Sequence, residues 1–256
     1  MASTLNQHAL MIDLGNSRLS WALYSGGSIS TPKSVPHAAD LPLTAAAEWG
    51  RMRHVPVYIA NVAGNESQQK LSHWFETQWN ISPSFLQAKR HAYGVTNAYK
   101  RVESLGVDRW LGMIGARTMS QLPVCIVDCG SAVTIDVMDA GGIHQGGLII
   151  PGYQMMLTSL QQETAIPAFP GLGITPGILG RSTPECIHNG CANTIAAIID
   201  RVMQSGSRLQ RLIMTGGDAA TVSGLLEHPF KLVPDLVFRG ISRYITEDPD
   251  ADEAEG

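Results

Sequence analysis

Apolar positions along the chain recur with two different periods. Residues 9–14 (ALMIDL) are almost continuously apolar and are followed by Gly-Asn-Ser; 19–24 (LSWALY) are then followed by Gly26-Gly27. Short apolar runs bounded by turn residues predict two strands of a hairpin or meander. Residues 55–60 (VPVYIA) predict another strand. From 65 to 79 the period changes, with Leu71, Trp74 and Phe75 at helical spacing. A further helix with a small-residue face is predicted over 106–119, carrying Trp110, Leu111, Ile114 and Met119.

A second series opens at Pro123. Strands are predicted at 124–128, 132–138 and 143–150, the last after Gly141-Gly142. Ser182-Thr183-Pro184-Glu185 combines a capping residue, a first-turn Pro and a first-turn Glu, which predicts a helix start. Ile187, Cys191, Ile195, Ile198, Ile199 and Val202 then form one apolar face. Residues 211–214 (RLIM) predict a strand ending at Thr215-Gly216-Gly217-Asp218. The pattern is two α/β units in succession, with a boundary near 117–123.

The two units open on the same phrase. Met11–Gly27 (MIDLGNSRLSWALYSGG) and Ile126–Gly142 (IVDCGSAVTIDVMDAGG) each run from an apolar lead-in through Asp-x-Gly-x-Ser to an apolar stretch and Gly-Gly. The Gly lets an anion approach the backbone, where amide N–H groups and the Ser hydroxyl donate to its oxygens. The Asp repels a phosphate but can hold a cation that binds one. One such phrase also describes an ordinary hairpin turn; two copies in matching context point to a nucleoside triphosphate. No G-x-x-x-x-G-K-[ST] occurs, which argues against a P-loop kinase.

Composition and charge narrow the picture further. Hydrophobic residues are 44% and charged residues 16%, an ordinary globular balance. No apolar run reaches the ~18–20 residues of a membrane span, and MASTLNQHA lacks the features of a secretory leader. The expectation is a cytoplasmic protein without a membrane partner. Net charge is −4, but six acids lie in the tail EDPDADEAEG; without them 16 acids face 18 bases. That tail, 247–256, reads as a solvated, disordered end. No basic stripe supports a nucleic-acid partner. Cys125 and Cys129 are too far apart on one strand for a disulfide, and Cys186 and Cys191 point in different directions on a helix. All four read as reduced core thiols.

The densest polar stretch is LGVDRW, Leu105–Trp110. Asp108 near a helix start is suited equally to capping and to accepting a hydroxyl proton, and Arg109 to pairing a substrate carboxylate.

The two phrases, with LIMTGGDA (Leu212–Ala219) in the place of an adenosine motif, resemble the actin/hexokinase/Hsp70 superfamily. That resemblance implies an α/β fold of two ribonuclease-H-like domains, here 1–118 and 119–246, with a cleft between them. More narrowly, DLGNS, NAY (Asn97–Tyr99), LGVDRW, DCGSAVTID, GGLIIPG and RSTPECIHNG stand in the order and spacing of type III pantothenate kinases, from about residue 9 to 241. The resemblance implies ATP-dependent phosphorylation of pantothenate, the first step of coenzyme A biosynthesis. By position it implies that Asp13, Leu14, Gly15, Asn16, Ser17, Arg18, Leu19 and Ser20 form the first ATP loop, and that Ser131 touches ATP. It implies that Tyr99, Gly106, Val107, Asp108 and Arg109 line the pantothenate pocket, with Asp108 as base. Thr183 would contact pantothenate, although it is equally suited to cap its helix. Asp128 would ligate K⁺ or NH₄⁺, and Mg²⁺ or another divalent ion would travel with the ATP. The family also implies a homodimer; helix 185–203 is a candidate interface, though core burial explains its apolar face as well. Ser131 stands where the family usually has Thr, keeping the hydroxyl and losing a methyl. His144 and His188 lie near these motifs and are assigned no role. Two other readings share the motifs: another small-molecule kinase of the superfamily, and a non-catalytic regulator, since members are described as transcriptional accessory factors.

Overall fold

The segment HALMIDL forms β1 (His8–Leu14), and Ala9 to Ile12 are buried without a break. A strand apolar on both faces needs a layer on each side, and the chain supplies both. The computed structural model describes residues 8–37, 43–50, 55–165, 178–205 and 209–247. It divides into two compact units, one of Met1–Met119, Gly141–Ile143 and Asp235–Gly256, the other of Ser120–Ala140 and His144–Pro234.

In the first unit β1 is followed by β2 (Arg18–Ser25), β3 (Ser28–Ile29), β4 (Lys33–Pro36), α1 (Leu43–Trp49), β5 (Val57–Asn61), α2 (Asn65–Trp79) and β6 (Ser84–Phe85). A two-residue hairpin, β7 (His91–Ala92) and β8 (Val95–Thr96), then leads to α3 (Val107–Arg117). The sheet order is β3-β2-β1-β5-β6, with β4 also on β2; β1–β2 and β2–β3 are antiparallel, β1–β5 and β5–β6 parallel. One core gathers Leu10, Ile12, Leu14 and Leu19 with Trp49, Leu71, Phe75 and Trp79 from α1 and α2. α2 spans the 65–79 expected from its period and stops where Asn80 takes the left-handed conformation (φ 55°), a helix end that Asn tolerates.

The second unit contains β9 (Val124–Cys129), β10 (Ala132–Met138), β11 (His144–Pro151), α4 (Tyr153–Glu163), α5 (Thr183–Ser205), β12 (Arg211–Thr215), α6 (Ala219–Ser223) and β13 (Lys231–Leu232). Its sheet order, β11-β10-β9-β12-β13, repeats that of the first unit: three antiparallel strands, then two parallel ones beyond the first. This is the ribonuclease-H-like order, present in both units. Cys125, Val127 and Cys129 of β9 pack with Ile187, Cys191, Ile195 and Ile199 of α5, so core burial accounts for the apolar face of that helix.

Three features differ from the sequence reading. The last helix, α7 (Leu236–Thr246), belongs to the first unit, whereas the sequence pattern places all of 119–246 in one domain. It packs on α3, β1 and β5. The crossing is close because a Cβ on Gly115 would strike Leu236 O and one on Gly240 would strike Leu111 O. Second, Cys186 is exposed; Cys125, Cys129 and Cys191 are buried, and all four are free. Third, Glu247 caps α7 through its N–H to Arg243 O and pairs with the Arg243 side chain; the rest of the expected tail, 248–256, lies outside the described residues.

Candidate active site

The first phrase becomes the β1–β2 hairpin. Asp13 is half-buried near the end of β1 opposite Ser20, and Gly15 N–H donates to Arg18 O at 2.9 Å to close the turn. Leu14 and Leu19 flank the turn with their side chains in the core, so they offer a ligand only backbone; Asn16, Ser17 and Arg18 are exposed. β4, not anticipated from sequence, braces this turn: His37 N–H donates to Ser17 O at 2.9 Å and Arg18 Nε to Ser34 Oγ at 2.7 Å.

The expected substrate residues of the same unit meet. Gly106 precedes α3 and Asp108 lies in its first turn, where a carboxylate is favoured by the helix dipole. Asp108 Oδ1 accepts the Arg109 N–H at 2.7 Å and lies 2.6 Å from the place a Cβ on residue 106 would occupy. Glycine at 106 is therefore what lets the carboxylate fold over the helix start. Arg109, 8% exposed, donates from Nη1 to Tyr99 Oη at 2.9 Å. Val107 is buried beside them. Tyr99 is placed by Asn97 of the same NAY motif, a role the sequence pattern does not reveal: Asn97 is 1% exposed, its Oδ1 accepts the Tyr99 N–H at 2.9 Å, and its Nδ2 donates to Val102 O at 3.3 Å. Arg90 clamps the same loop, donating to Asn97 O and Lys100 O.

In the second unit the repeated phrase is the β9–β10 hairpin. Gly130 N–H donates to Ala132 O at 3.1 Å, and the Gly152 N–H donates to Ser131 O at 3.0 Å, so the start of α4 backs the turn. Asp128 pairs in register with Thr215 at the end of β12. Next to it Gly216 has φ +91°, and any side chain there would strike the Asp128 carboxylate. The Asp218 N–H reaches across to Cys129 O at 3.0 Å. Thr215, Gly216 and Asp218 thus gather around Asp128; the sequence marked them as a motif without naming them as site residues. Burial raises the Asp218 carboxyl above its ordinary value. Burial, with the Asp128 and Asp218 carboxylates beside it, pushes the Cys129 thiol up to about 12, which removes it as a nucleophile near neutral pH. Among the described residues no group of three or more His, Cys, Asp or Glu is placed to hold a metal ion. Asp128 could offer a cation a single carboxylate, too few charged ligands for a dedicated divalent site.

Thr183 is the first residue of α5 and is exposed. Its alternative role is already filled: Ser182 Oγ accepts the Glu185 N–H at 3.4 Å, and Glu185 Oε2 accepts the Arg181 N–H at 2.6 Å. The capping is done by Ser182 and Glu185 rather than by Thr183. The two histidines are structural by placement. His144 Nε2 lies 2.9 Å from Asp136 in the core, and His188 Nδ1 lies 2.6 Å from Tyr153 Oη. Burial raises the Tyr153 hydroxyl, and Cys191 and Asp218 add to the effect.

Residues 9–205 match the family model described as type III pantothenate kinase. A type III pantothenate kinase of Nitrosococcus oceani is 36% identical over 245 residues, covering 91% of this chain and 92% of that protein. Among solved structures, a conserved protein of the Baf transcriptional-activator family from Campylobacter jejuni superposes with a TM-score of 0.62 at 22% identity, covering 94% of this chain and 99% of the other. The activator of 2-hydroxyisocaproyl-CoA dehydratase from Clostridium difficile, solved with bound ADPNP, has a TM-score of 0.58 at 10% identity over 98% of both chains. At such identities the two structures speak to the fold alone, which is that of actin-like ATPases.

Proposed function

This chain belongs to the type III pantothenate kinase family, and from that premise we propose how its residues carry out the ATP-dependent phosphorylation of pantothenate that begins coenzyme A biosynthesis. Pantothenate presents a carboxylate at one end and a primary hydroxyl at the other. Arg109, oriented by Tyr99, takes the carboxylate as a charge-assisted pair. Asp108 accepts the hydroxyl proton as the oxygen bonds to the γ-phosphorus and the bond from that phosphorus to the β–γ bridging oxygen breaks, releasing ADP. Thr183 donates a further hydrogen bond to pantothenate.

The hairpin amides and the hydroxyls of Ser17, Ser20 and Ser131 hold the triphosphate oxygens. When bound, Mg²⁺ supplies two positive charges on the phosphates facing Asp13, and K⁺ or NH₄⁺ supplies one at Asp128. The residues fit this assignment, since neither hairpin has a Lys and Arg18 is the one basic residue immediately beside either phrase. The observation that carries the reading is the Arg109–Tyr99 bond beside Asp108 at the start of α3.

The protein acts as a homodimer in the cytoplasm, with neither nucleic acid nor membrane as partner. Self-association is supported by β11, a sheet-edge strand exposing Leu148 (41%) and Ile149 (61%), with Met155 (49%) close after it in α4. Among the described residues no helix is long and apolar enough to cross a membrane. The regulator alternative is not favoured, because relatives 36% and 31% identical, each covering 91% of this chain, are kinases by name. The experiment is coupled ADP release with and without pantothenate. Release that depends on pantothenate is expected; equal release in both arms from folded protein refutes the reading.

A further inference from the structure

A bond between two surface segments keeps its geometry only as well as the segments behind it are held. Arg109 sits on the first turn of α3, and Tyr99 sits on the loop after β8. Both trace back to the same side chain on α7. Trp110, the residue after Arg109, is fully buried, and its Nε1–H donates to Tyr244 Oη at 3.0 Å. The Tyr244 hydroxyl in turn points to Gln87 O at 3.5 Å, a long bond to the segment that leads into the Tyr99 loop. The Tyr244 ring meets Tyr93 edge-on, with centroids 4.9 Å apart. Tyr93 occupies the left-handed region (φ 53°) at the tip of the β7–β8 hairpin, a conformation unfavourable for an aromatic residue unless its surroundings hold it. Arg243 covers the other side of that anchorage, 5.6 Å from the Tyr93 ring centroid, and Tyr93 Oη donates to Glu247 O at 3.1 Å. One hydroxyl therefore accepts from the helix that carries Asp108 and Arg109 and points toward the segment that leads into the Tyr99 loop.

We infer that Tyr244 is a positioning residue for pantothenate: without touching substrate, it holds the Arg109 guanidinium and the Tyr99 hydroxyl in register. The inference rests on the assignment of Tyr99, Asp108 and Arg109 to the pantothenate pocket. Removing the hydroxyl leaves the Trp110 N–H buried and unpaired, an unfavourable state that the first turn of α3 relieves by shifting. A displacement of ~1 Å can cost up to ~100-fold in a positioned site. The effect falls on pantothenate rather than ATP, because the β1–β2 hairpin is braced separately by β4.

The experiment is steady-state kinetics of Tyr244→Phe with both substrates varied, alongside Tyr93→Phe and Arg109→Lys. Tyr93→Phe loses a hydroxyl bond of the same network but keeps its ring contact, so it matches the stability loss without releasing Trp110. The expected result is a KM for pantothenate raised about tenfold in Tyr244→Phe, a lowered kcat because Asp108 shares the displaced turn, a KM for ATP within about twofold of wild type, and no KM change in Tyr93→Phe. Trp110→Phe breaks the same bond from the other side, should raise the same KM, and decides the matter if Tyr244→Phe does not fold. Similar losses in Tm for the two Tyr variants with unchanged KM in both would reduce Tyr244 to a stabilising contact and overturn the inference. If Arg109→Lys raises KM for pantothenate while Tyr244→Phe does not, the inference alone fails. If Arg109→Lys leaves that KM unchanged, the pocket assignment fails, and the inference with it.

Discussion

Asp108 makes its contact to Arg109 N–H through Oδ1, and an Asn at that position keeps an oxygen acceptor. Asp108→Asn should therefore fold normally, retain pantothenate binding through Arg109 and Tyr99, and lose about 10²–10⁴ in turnover, the usual worth of a positioned base. Single-turnover ADP release with a parallel pantothenate binding measurement checks this; near wild-type turnover would leave Asp108 as a helix-start residue only. Asp218 carries a pH dependence instead. Its folded-state carboxyl is raised by burial above the value of 3.8 it has when unperturbed. The folded state thus holds the proton more tightly, so stability is lost as pH rises from the unfolded pKa through the folded one, and the whole penalty is present at neutral pH. Asp218→Asn should raise Tm at pH 7–8 and lose that advantage below pH ~4. A Tm difference that does not vary with pH would assign the effect to something other than ionisation.

Among elements, α7 shows most clearly how packing overrides local preference. LVFRGISRYIT contains β-branched and aromatic residues and an internal Gly, none of them strong helix formers. It is a helix because one face, Leu236, Val237, Phe238, Gly240 and Ile241, is buried against the first unit. Gly240 is the price of the close crossing over Leu111. Gly240→Ala gains up to ~1 kcal/mol of helix propensity, but its new methyl would meet the backbone carbonyl of Leu111, which has no rotamer to move into. Overpacking of that kind costs about 1–3 kcal/mol and should win. Urea unfolding of Gly240→Ala should show a lowered midpoint, and a raised midpoint would mean that α3 and α7 separate easily.

For the whole molecule, the repeated phrase has a consequence for charge. A triphosphate has to be neutralised, and neither hairpin carries a lysine, so on the proposed reading bound ions supply the charge. High activity is expected in potassium or ammonium buffers and low activity in sodium or lithium, at equal ionic strength and constant Mg²⁺. Asp128→Asn should flatten that preference and raise the apparent KM for ATP. Equal rates in sodium and potassium would make Asp128 a local hairpin support, a role for which its contact with the Gly216 turn already suits it.

The sequence by itself determined the strands β1, β2, β9, β10 and β11, the helices α2 and α5, and both Asp-x-Gly hairpin turns, because each is written in contiguous residues: an apolar period, a turn residue, a cap. It also brought out Asp108 and Arg109, which share one helical turn. Other features were settled only by tertiary structure, since they join residues far apart in the chain. Ser182 rather than Thr183 caps α5, a choice between adjacent hydroxyls that backbone direction makes. β4 braces the first turn, and Asn97 sets Tyr99, through bonds that no periodicity records. The late Gly216 stands against Asp128 because β12 lies parallel to β9, and α7 returns to the first unit because Gly115 and Gly240 let two backbones touch. Short-range patterns encode local conformation, whereas close packing selects partners by shape across the fold, and shape is not written at any single position.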